Sequence, residues 1–437
     1  MIKYSLSLRP PVALLVLLAV LACCYWAWHL KHPLMLVLRP LETPVLLLAA
    51  MVALRYGWRQ TAGCGRWWGI LLTIAACALL LTTLVQEARF QRQRYRVLEA
   101  SPILRVLGGH FIIGFRDYAS LAPLAEKGLI GGIYLTRRNV AGRSIAEVRS
   151  EIERLQDLRR ARGLPPLFVA ADQEGGRVNH LSPLLPARPA LAQLATLKPA
   201  QRARAAYAYG QQHGEELSAV GVNLNLSPVV DLKPAGRRHW RDTHTLIQQR
   251  AISGDAEVVR QIAMAYSAGL QASGVHATLK HFPGLRPVKV DTHHRPARLS
   301  LPLTGLAREW VPFENISRQT GSAIMVAHVH LDAIDAKHAA SLSRPVIDGL
   351  IRKHWNYQGL ILTDDLNMGA VYPVGVGRAA AASLNAGADL ILVTYDHDQF
   401  YRALHDAAQA YRRGAIDESQ LLASRQRLRD HWARQHK

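Results

Sequence analysis

The chain has 437 residues and a formal charge of +21, from 53 Lys and Arg against 32 Asp and Glu; its length suits one large α/β domain with an appendage. The surplus suits an anionic membrane surface or an acidic substrate, and with no interleaved aromatic and basic residues it is not read as a nucleic-acid footprint. Its four cysteines, Cys23, Cys24, Cys64 and Cys77, lie in the amino-terminal fifth, which excludes a disulfide framework or zinc-thiolate centre from the remainder.

Residues 1–86 read as a membrane anchor. Apolar stretches around 11–30, 33–54 and 67–85 approach the length a helix needs to cross a bilayer, and the middle one spans only if it tolerates Arg39 and Glu42. No small-residue cleavage site follows the first stretch, so an anchor is expected rather than a cleaved signal peptide. Three helices with Lys3 and Arg9 inside place the rest of the chain on the periplasmic side of a bacterial inner membrane, while two would return it to the cytoplasm. Residues 87–104 read as a linker.

From 105 to 437 short apolar runs alternate with helix-like stretches. The runs are "HFIIGF", "GGIYLT", "LFVAADQ", "VNLNLSPVVDL", "HATLKHF", "AIMVAHV", "LILTDDL" and "DLILVT". Between them lie amphipathic segments such as "SIAEVRSEIERLQDLRRARG" and "DAEVVRQIAMAYSAGLQASG", with apolar residues spaced by three and four and a closing glycine. Eight strand-then-helix units predict a (β/α)8 TIM-type barrel, and the lack of a glycine-rich fingerprint after the first strand argues against a dinucleotide-binding sheet.

In such a barrel the chemistry gathers at the carboxyl ends of the strands. Polar residues stand there repeatedly: Asp172 after the third run, Asp231 after the fourth, Lys280 and His281 in the fifth, His328 after the sixth, Asp364 and Asp365 in the seventh. A cleft lined by carboxylates, a lysine and histidines reads as a hydrolase site for a polyhydroxylated substrate.

The motifs "ADQEGGRV", "KHFPG" followed by "DTH", "MVAHV", "ASLS" and "LILTDDLNMGA" resemble, in order and spacing, the family 3 glycoside hydrolases, in their single-domain bacterial β-N-acetylhexosaminidase branch. The resemblance implies a retaining exo-β-N-acetylglucosaminidase acting on cell-wall glycans, with no cofactor and no metal. It maps the nucleophile onto Asp364, although the residues alone do not choose between Asp364 and Asp365. It maps the proton donor onto His293, with Asp291 fixing the imidazole tautomer and stabilising the imidazolium. Asp172, Arg250, Lys280 and His281 match positions that hold sugar hydroxyls. The implied partners are an N-acetylglucosaminide or muropeptide and the lipid bilayer.

Three features depart from the family pattern. Leu285 and Arg286 replace a histidine-glycine pair, His180 stands as a substrate-binding residue of the hydroxyl clamp where an arginine is common, and the anchor is unlike the branch's soluble enzymes. Other readings are a metal centre built from His281, Asp291, His293 and His294, in which two adjacent histidines would have to face one ion, a sugar-binding scaffold on a degenerate barrel, and phosphorolysis in place of hydrolysis.

Overall fold

The computed structural model describes residues 10–61, 66–236 and 244–435. Cys64, Lys3 and Arg9 lie outside the described residues. The chain divides into two compact units, Met1–Arg96 and Val97–Lys437.

The first unit holds helices α1 (Pro10–Trp28), α2 (Glu42–Gln60) and α3 (Arg66–Leu98). They pack through Val20, Ala27, Leu46, Ala50, Ala76 and Leu79. A Cβ on Gly57 of α2 would lie 2.6 Å from Thr73 Oγ1 and 2.9 Å from the Thr73 amide nitrogen, so the two backbones meet only because that side chain is missing. Leu15, Leu18, Leu48, Met51, Ile74 and Leu81 instead face outward.

Among the described residues, two helices are long and apolar enough to cross a membrane, Pro11–Trp28 and Arg66–Leu98. The middle stretch expected at 33–54 is not one helix. Pro33–Leu38 forms a separate 3-10 turn, and α2 starts at Glu42 and takes in Arg55 and Arg59. Glu42 is fully buried and accepts from Trp26 Nε1 at 3.2 Å, the Lys31 amide at 3.0 Å and Arg39 Nη1 at 3.2 Å. Burying that charge requires such partners. The stretch from 87, read as a linker, continues α3 to Leu98, because no glycine or proline interrupts it before Pro102.

The second unit is a closed barrel of eight parallel strands in sequential order: β1 (Phe111–Ile113), β2 (Gly132–Leu135), β3 (Phe168–Ala171), β4 (Leu224–Asn225), β5 (His276–Phe282), β6 (Ala323–Val326), β7 (Ile361–Asp365) and β8 (Leu390–Val393). Each lies within an expected apolar run. Closure pairs Phe111 with Ile391 and Ile113 with Val393. Ile112, Phe168, Ala170, Leu224, Met325, Leu362 and Leu392 belong to one buried cluster, with Trp432 of the last helix (Glu418–Gln435). Trp432 stacks on Phe168, the first residue of β3, at 4.6 Å between ring centres, so the carboxyl-terminal helix closes the amino end of the barrel.

Helices cover the outside as the periodicity predicts. Ile145–Arg160 opens on a capping box in which Ser144 and Glu147 exchange hydrogen bonds, and Pro199–Val220 ends on Gly221 at φ 97°. A small sheet stands beyond the carboxyl end: Ala297–Leu299 pairs in parallel with Val329–Leu331, which pairs with Asp335–Ala339. It ties down the far end of the loop 283–296 that leaves β5.

Candidate active site

The expected sugar-holding residues form one connected polar chain across the carboxyl rim. The Tyr134 hydroxyl, on β2, donates to Asp172 Oδ2 at 2.8 Å and lies 2.9 Å from His180 Nδ1. Lys280 Nζ pairs with Asp172 Oδ1 and lies 2.6 Å from Glu174 Oε1. Arg250 grips Glu174 with two bonds, Nε to Oε2 at 2.9 Å and Nη2 to Oε1 at 2.6 Å, and its Nη2 is 3.3 Å from His281 Nε2. The other ring nitrogen of His281 meets Asp231 Oδ2 at 2.7 Å. The structure thus brings Asp172, His180, Lys280, His281 and Arg250 together.

Electrostatics favours the charged forms of Glu174, Asp172 and Lys280. Burial pushes the Glu174 carboxyl up, but Arg250 and Lys280 outweigh it and hold it down at about 2. Asp172 is likewise depressed, against the cost of burial, by Lys280 and His180. Lys280 moves the other way: burial lowers its pKa, and Asp172 with Glu174 raise it beyond the usual lysine range.

The motif "DQEGG" is shaped by the barrel. Asn225 at the end of β4 accepts from the Gln173 amide at 3.1 Å and donates to its carbonyl at 2.8 Å, while Gln173 Oε1 takes the Leu181 amide at 3.0 Å. Gln173 therefore holds the turn, and Glu174 reaches the cleft. Gly175 sits at φ 86°, and a Cβ there would lie 2.4 Å from the Pro189 carbonyl oxygen.

Asp291 and His293 meet on the loop after β5. His293 Nδ1 lies 2.8 Å from Asp291 Oδ1, which also takes the His293 amide at 3.0 Å and the Thr245 hydroxyl at 3.0 Å. Asp291 Oδ2 takes the His244 amide at 2.6 Å. Burial disfavours the anion, but these bonds, led by that to His293, hold Asp291 far below the carboxylate range. Burial lowers the His293 pKa, yet the bond to Asp291 and the charges of Asp364 and Asp291 raise it above an ordinary histidine's. The loop is pinned to the one after β7: the Gly369 amide donates to the His293 carbonyl at 2.8 Å, and the Ala370 amide to that of Thr292 at 3.2 Å.

The paired aspartates ending β7 differ sharply. Asp365 accepts four donors: the Thr394 hydroxyl at 2.6 Å and the amides of Asn367, Tyr395 and Thr394 at 2.9, 2.9 and 3.2 Å. Burial, with the charge of Asp364 adding, still lifts it to about 6. Among the described residues the Asp364 carboxylate accepts only the Asp365 amide, at 2.9 Å. Burial raises its pKa, but His281, His328 and His293 bring it below the usual aspartate value. His328 is fixed between Ser341 Oγ at 2.7 Å and the Asp365 carbonyl at 3.0 Å.

Three members of the site were not singled out from the sequence: Glu174, Tyr134 and Thr245. Glu174 stood inside a quoted motif, and Tyr134 is the polar-tipped aromatic near the end of a barrel strand, a signal that was available. Thr245 lies far from Asp291 in sequence and gave none. The departures have partners: Leu285 is buried, its amide donating to Asp231 Oδ1 at 2.7 Å, and Arg286 pairs with the buried Glu309.

The chain matches the family model described as the glycosyl hydrolase family 3 N terminal domain over residues 105–430. It is 35% identical over 272 residues to a beta-hexosaminidase of Xanthomonas oryzae pv. oryzae, covering 61% of this chain and 77% of the relative. With a beta-hexosaminidase of Xylella fastidiosa the identity is 35% over 271 residues, covering 61% and 76%. Among solved structures, a family 3 β-N-acetylglucosaminidase from a Paenibacillus species superposes with a TM-score of 0.69 at 31% identity, and this chain spans 76% of its own length and 62% of that chain. A family 3 glycosyl hydrolase from Mycobacterium smegmatis superposes with a TM-score of 0.65 at 30% identity, covering 76% and 97%.

Proposed function

We propose that this chain, which belongs to the family 3 glycosyl hydrolases, is a retaining exo-β-N-acetylglucosaminidase that removes terminal β-linked N-acetylglucosamine from cell-wall glycans. Retention needs a nucleophile below the anomeric carbon and a proton donor at the departing oxygen. Asp364 is the nucleophile and His293 the donor, with Asp291 holding the imidazole. The single observation that carries this assignment is the contrast between the two aspartates of β7. Asp365 spends its lone pairs on four donors and shapes the loop, whereas Asp364 keeps an oxygen for attack among three imidazoles.

His293 protonates the leaving group, then takes the proton from the incoming water. Its raised pKa favours the protonated donor, and the lowered pKa of Asp364 favours an ionised nucleophile. Asp172, Lys280, Arg250 and His281 hold the sugar hydroxyls, with Tyr134, His180, Glu174 and Asp231 keeping them in place. Charged groups suit vicinal hydroxyls, which donate and accept at once.

The apolar outward faces of α1 and α3 anchor the chain in a bilayer, since exposing so many leucines to water costs about 25 cal/mol per Å2. α1 and α3 meet the length and hydropathy for spanning and α2 does not; a periplasmic barrel, where peptidoglycan fragments are found, requires α2 to make a third pass with Glu42 paired to Arg39.

The test is turnover of an aryl N-acetyl-β-glucosaminide by Asp364→Ala and Asp365→Ala, with labelling by a 5-fluoro glycosyl probe and peptide mapping. Asp364→Ala is expected to abolish turnover while Asp365→Ala keeps a measurable rate, and the label should sit on Asp364. A label on Asp365 or elsewhere refutes the assignment.

A further inference from the structure

Helix α3 carries one stripe whose chemistry changes along its length. Leu71, Ile74, Ala78, Leu81 and Val85 follow one another at intervals of three and four, so they share a face, and all are exposed. The same spacing continues through Arg89, Arg92 and Arg96, which are exposed as well. Leu72, Ala76, Leu79, Thr83 and Phe90, on the other side of the helix, are buried. The arginines therefore prolong the apolar outward stripe and do not belong to the packed side.

The stripe changes at the level where the helix bundle turns polar. Lys31 Nζ lies 3.5 Å from Glu87 Oε2 and 5.5 Å from the centre of the Phe90 ring, and the Thr43 hydroxyl donates to Glu87 Oε2 at 2.9 Å. Arg39 pairs with Glu42 at 3.2 Å. Both carboxylates at this end are thus taken by Lys31 and Arg39, and among the described residues Arg89, Arg92 and Arg96 have no ion-pair partner. Tyr25 and Trp28 are exposed at the same end of the bundle, and Trp58 and Trp67 at the opposite end, as amphipathic rings are placed at the two faces of a bilayer.

We propose that Arg89, Arg92 and Arg96 bind the headgroups of anionic phospholipids in the leaflet where α3 leaves the bilayer, an inference that rests on the anchor reading given above. At about 1.5 Å per residue, Trp67 to Val85 covers about 27 Å, close to the hydrocarbon thickness of about 30 Å. Arg89, Arg92 and Arg96 then stand about 6, 10 and 16 Å beyond Val85, and the headgroup layer is about 5–7 Å thick. Arg89 lies among the phosphates and Arg92 reaches back to them on its apolar stem. Arg96 stands about one screening length, ~8 Å at physiological salt, above the layer.

The chemistry of the side chain sets the selectivity. A guanidinium offers a planar fork of donors that fits two oxygens of a phosphodiester. Phosphatidylcholine presents the same oxygens but cancels their charge with its own ammonium, whereas phosphatidylglycerol keeps the net negative charge. Each cation held near an anionic surface is worth about fivefold in affinity, so three together give about a hundredfold.

The test uses the full-length protein in neutral detergent micelles, titrated with phosphatidylglycerol and in parallel with phosphatidylcholine, with bound lipids counted by native mass spectrometry. Wild type should bind phosphatidylglycerol more tightly than phosphatidylcholine, and the preference should shrink as salt rises. Arg89→Gln, Arg92→Gln and Arg96→Gln combined should weaken phosphatidylglycerol at least about tenfold and leave phosphatidylcholine unchanged. The same three positions changed to Lys should keep most of the preference, since the charge stays. Arg55→Gln with Arg59→Gln, at the other end of α2, should stay within about twofold of wild type. Equal phosphatidylglycerol affinity in wild type and the triple Gln variant overturns the site, as does an equal loss in the Arg55 and Arg59 variant, which would make the preference one of net charge alone. Alkaline carbonate extraction of wild type from membranes separates the two readings. Release overturns the anchor and the lipid site with it, whereas retention with equal affinities overturns the lipid site alone.

Discussion

Gly369→Ala should damage catalysis without touching a catalytic side chain. A Cβ on Gly369 would lie 2.4 Å from the His294 carbonyl oxygen, 2.5 Å from its carbonyl carbon and 2.7 Å from its Cα. All three are backbone atoms, so no flexible side chain can yield. Ordinary contact begins near 3.4 Å, and the loop 291–294 must therefore retreat by about 1 Å. That movement stretches the bond from the Gly369 amide to the His293 carbonyl, now 2.8 Å, and carries the His293 imidazole with it. A misplacement of about 1 Å costs about a hundredfold in rate. The loss should fall on the step that needs the proton. The assay is kcat/KM across aryl N-acetylglucosaminides of graded leaving-group pKa, with circular dichroism and a thermal melt to confirm folding. A loss of about a hundredfold on the poorest leaving group, shrinking toward the best, is expected. Wild-type rates throughout, or an equal loss on every substrate in a folded protein, would refute the coupling of this glycine to the proton donor.

Asp291→Asn should move the alkaline limb of the kcat/KM profile to lower pH, because the carboxylate that raises the His293 pKa is gone and the imidazolium now deprotonates earlier; a limb that stays put rules out the dyad. Arg286→Met should destabilise the barrel by about 3 kcal/mol, the low end for breaking a buried pair because Arg286 is 29% exposed. Glu309 is already raised by burial despite Arg286, so its contribution is present below the unfolded glutamate pKa and lost as pH rises through the folded one. Losing Arg286 raises that value further, and the gap between variant and wild-type melting temperatures should widen from pH 4 to pH 8; a constant gap refutes the pairing. Alkaline phosphatase and green fluorescent protein fused after residue 100 should give an active phosphatase and a dark fluorescent fusion, and the reverse pattern would place the barrel in the cytoplasm.

The barrel was legible because its information is local. Runs such as "FVAA" and "LILV" are short, apolar and bounded by turns, and their spacing leaves room for one helix each, so eight parallel strands can be read from pattern alone. The rim residues were legible for the same reason: Asp172, Lys280, His281 and Asp364 stand at strand ends, where a barrel must aim them into one cleft. The middle apolar stretch was misplaced because hydropathy averages over Arg39 and Glu42, while their burial depends on Trp26 and Lys31 from another part of the chain. The different surroundings of Asp364 and Asp365 emerged only in three dimensions. Neighbours on a strand point to opposite sides, and which side holds the Thr394 hydroxyl and three amides depends on how β7 meets β8 and the loop beyond it. Gln173 and Glu174 parted in the same way, one toward Asn225 and the turn, the other toward Arg250 and Lys280. Periodicity and strand ends are properties of short segments, so the order of residues was enough for the barrel and for the inventory of reactive groups. Which of those groups are saturated and which remain open to chemistry was decided by the folded arrangement, because a hydrogen bond from Thr245 to Asp291, or from Gly369 to the His293 carbonyl, exists only once distant segments share one rim.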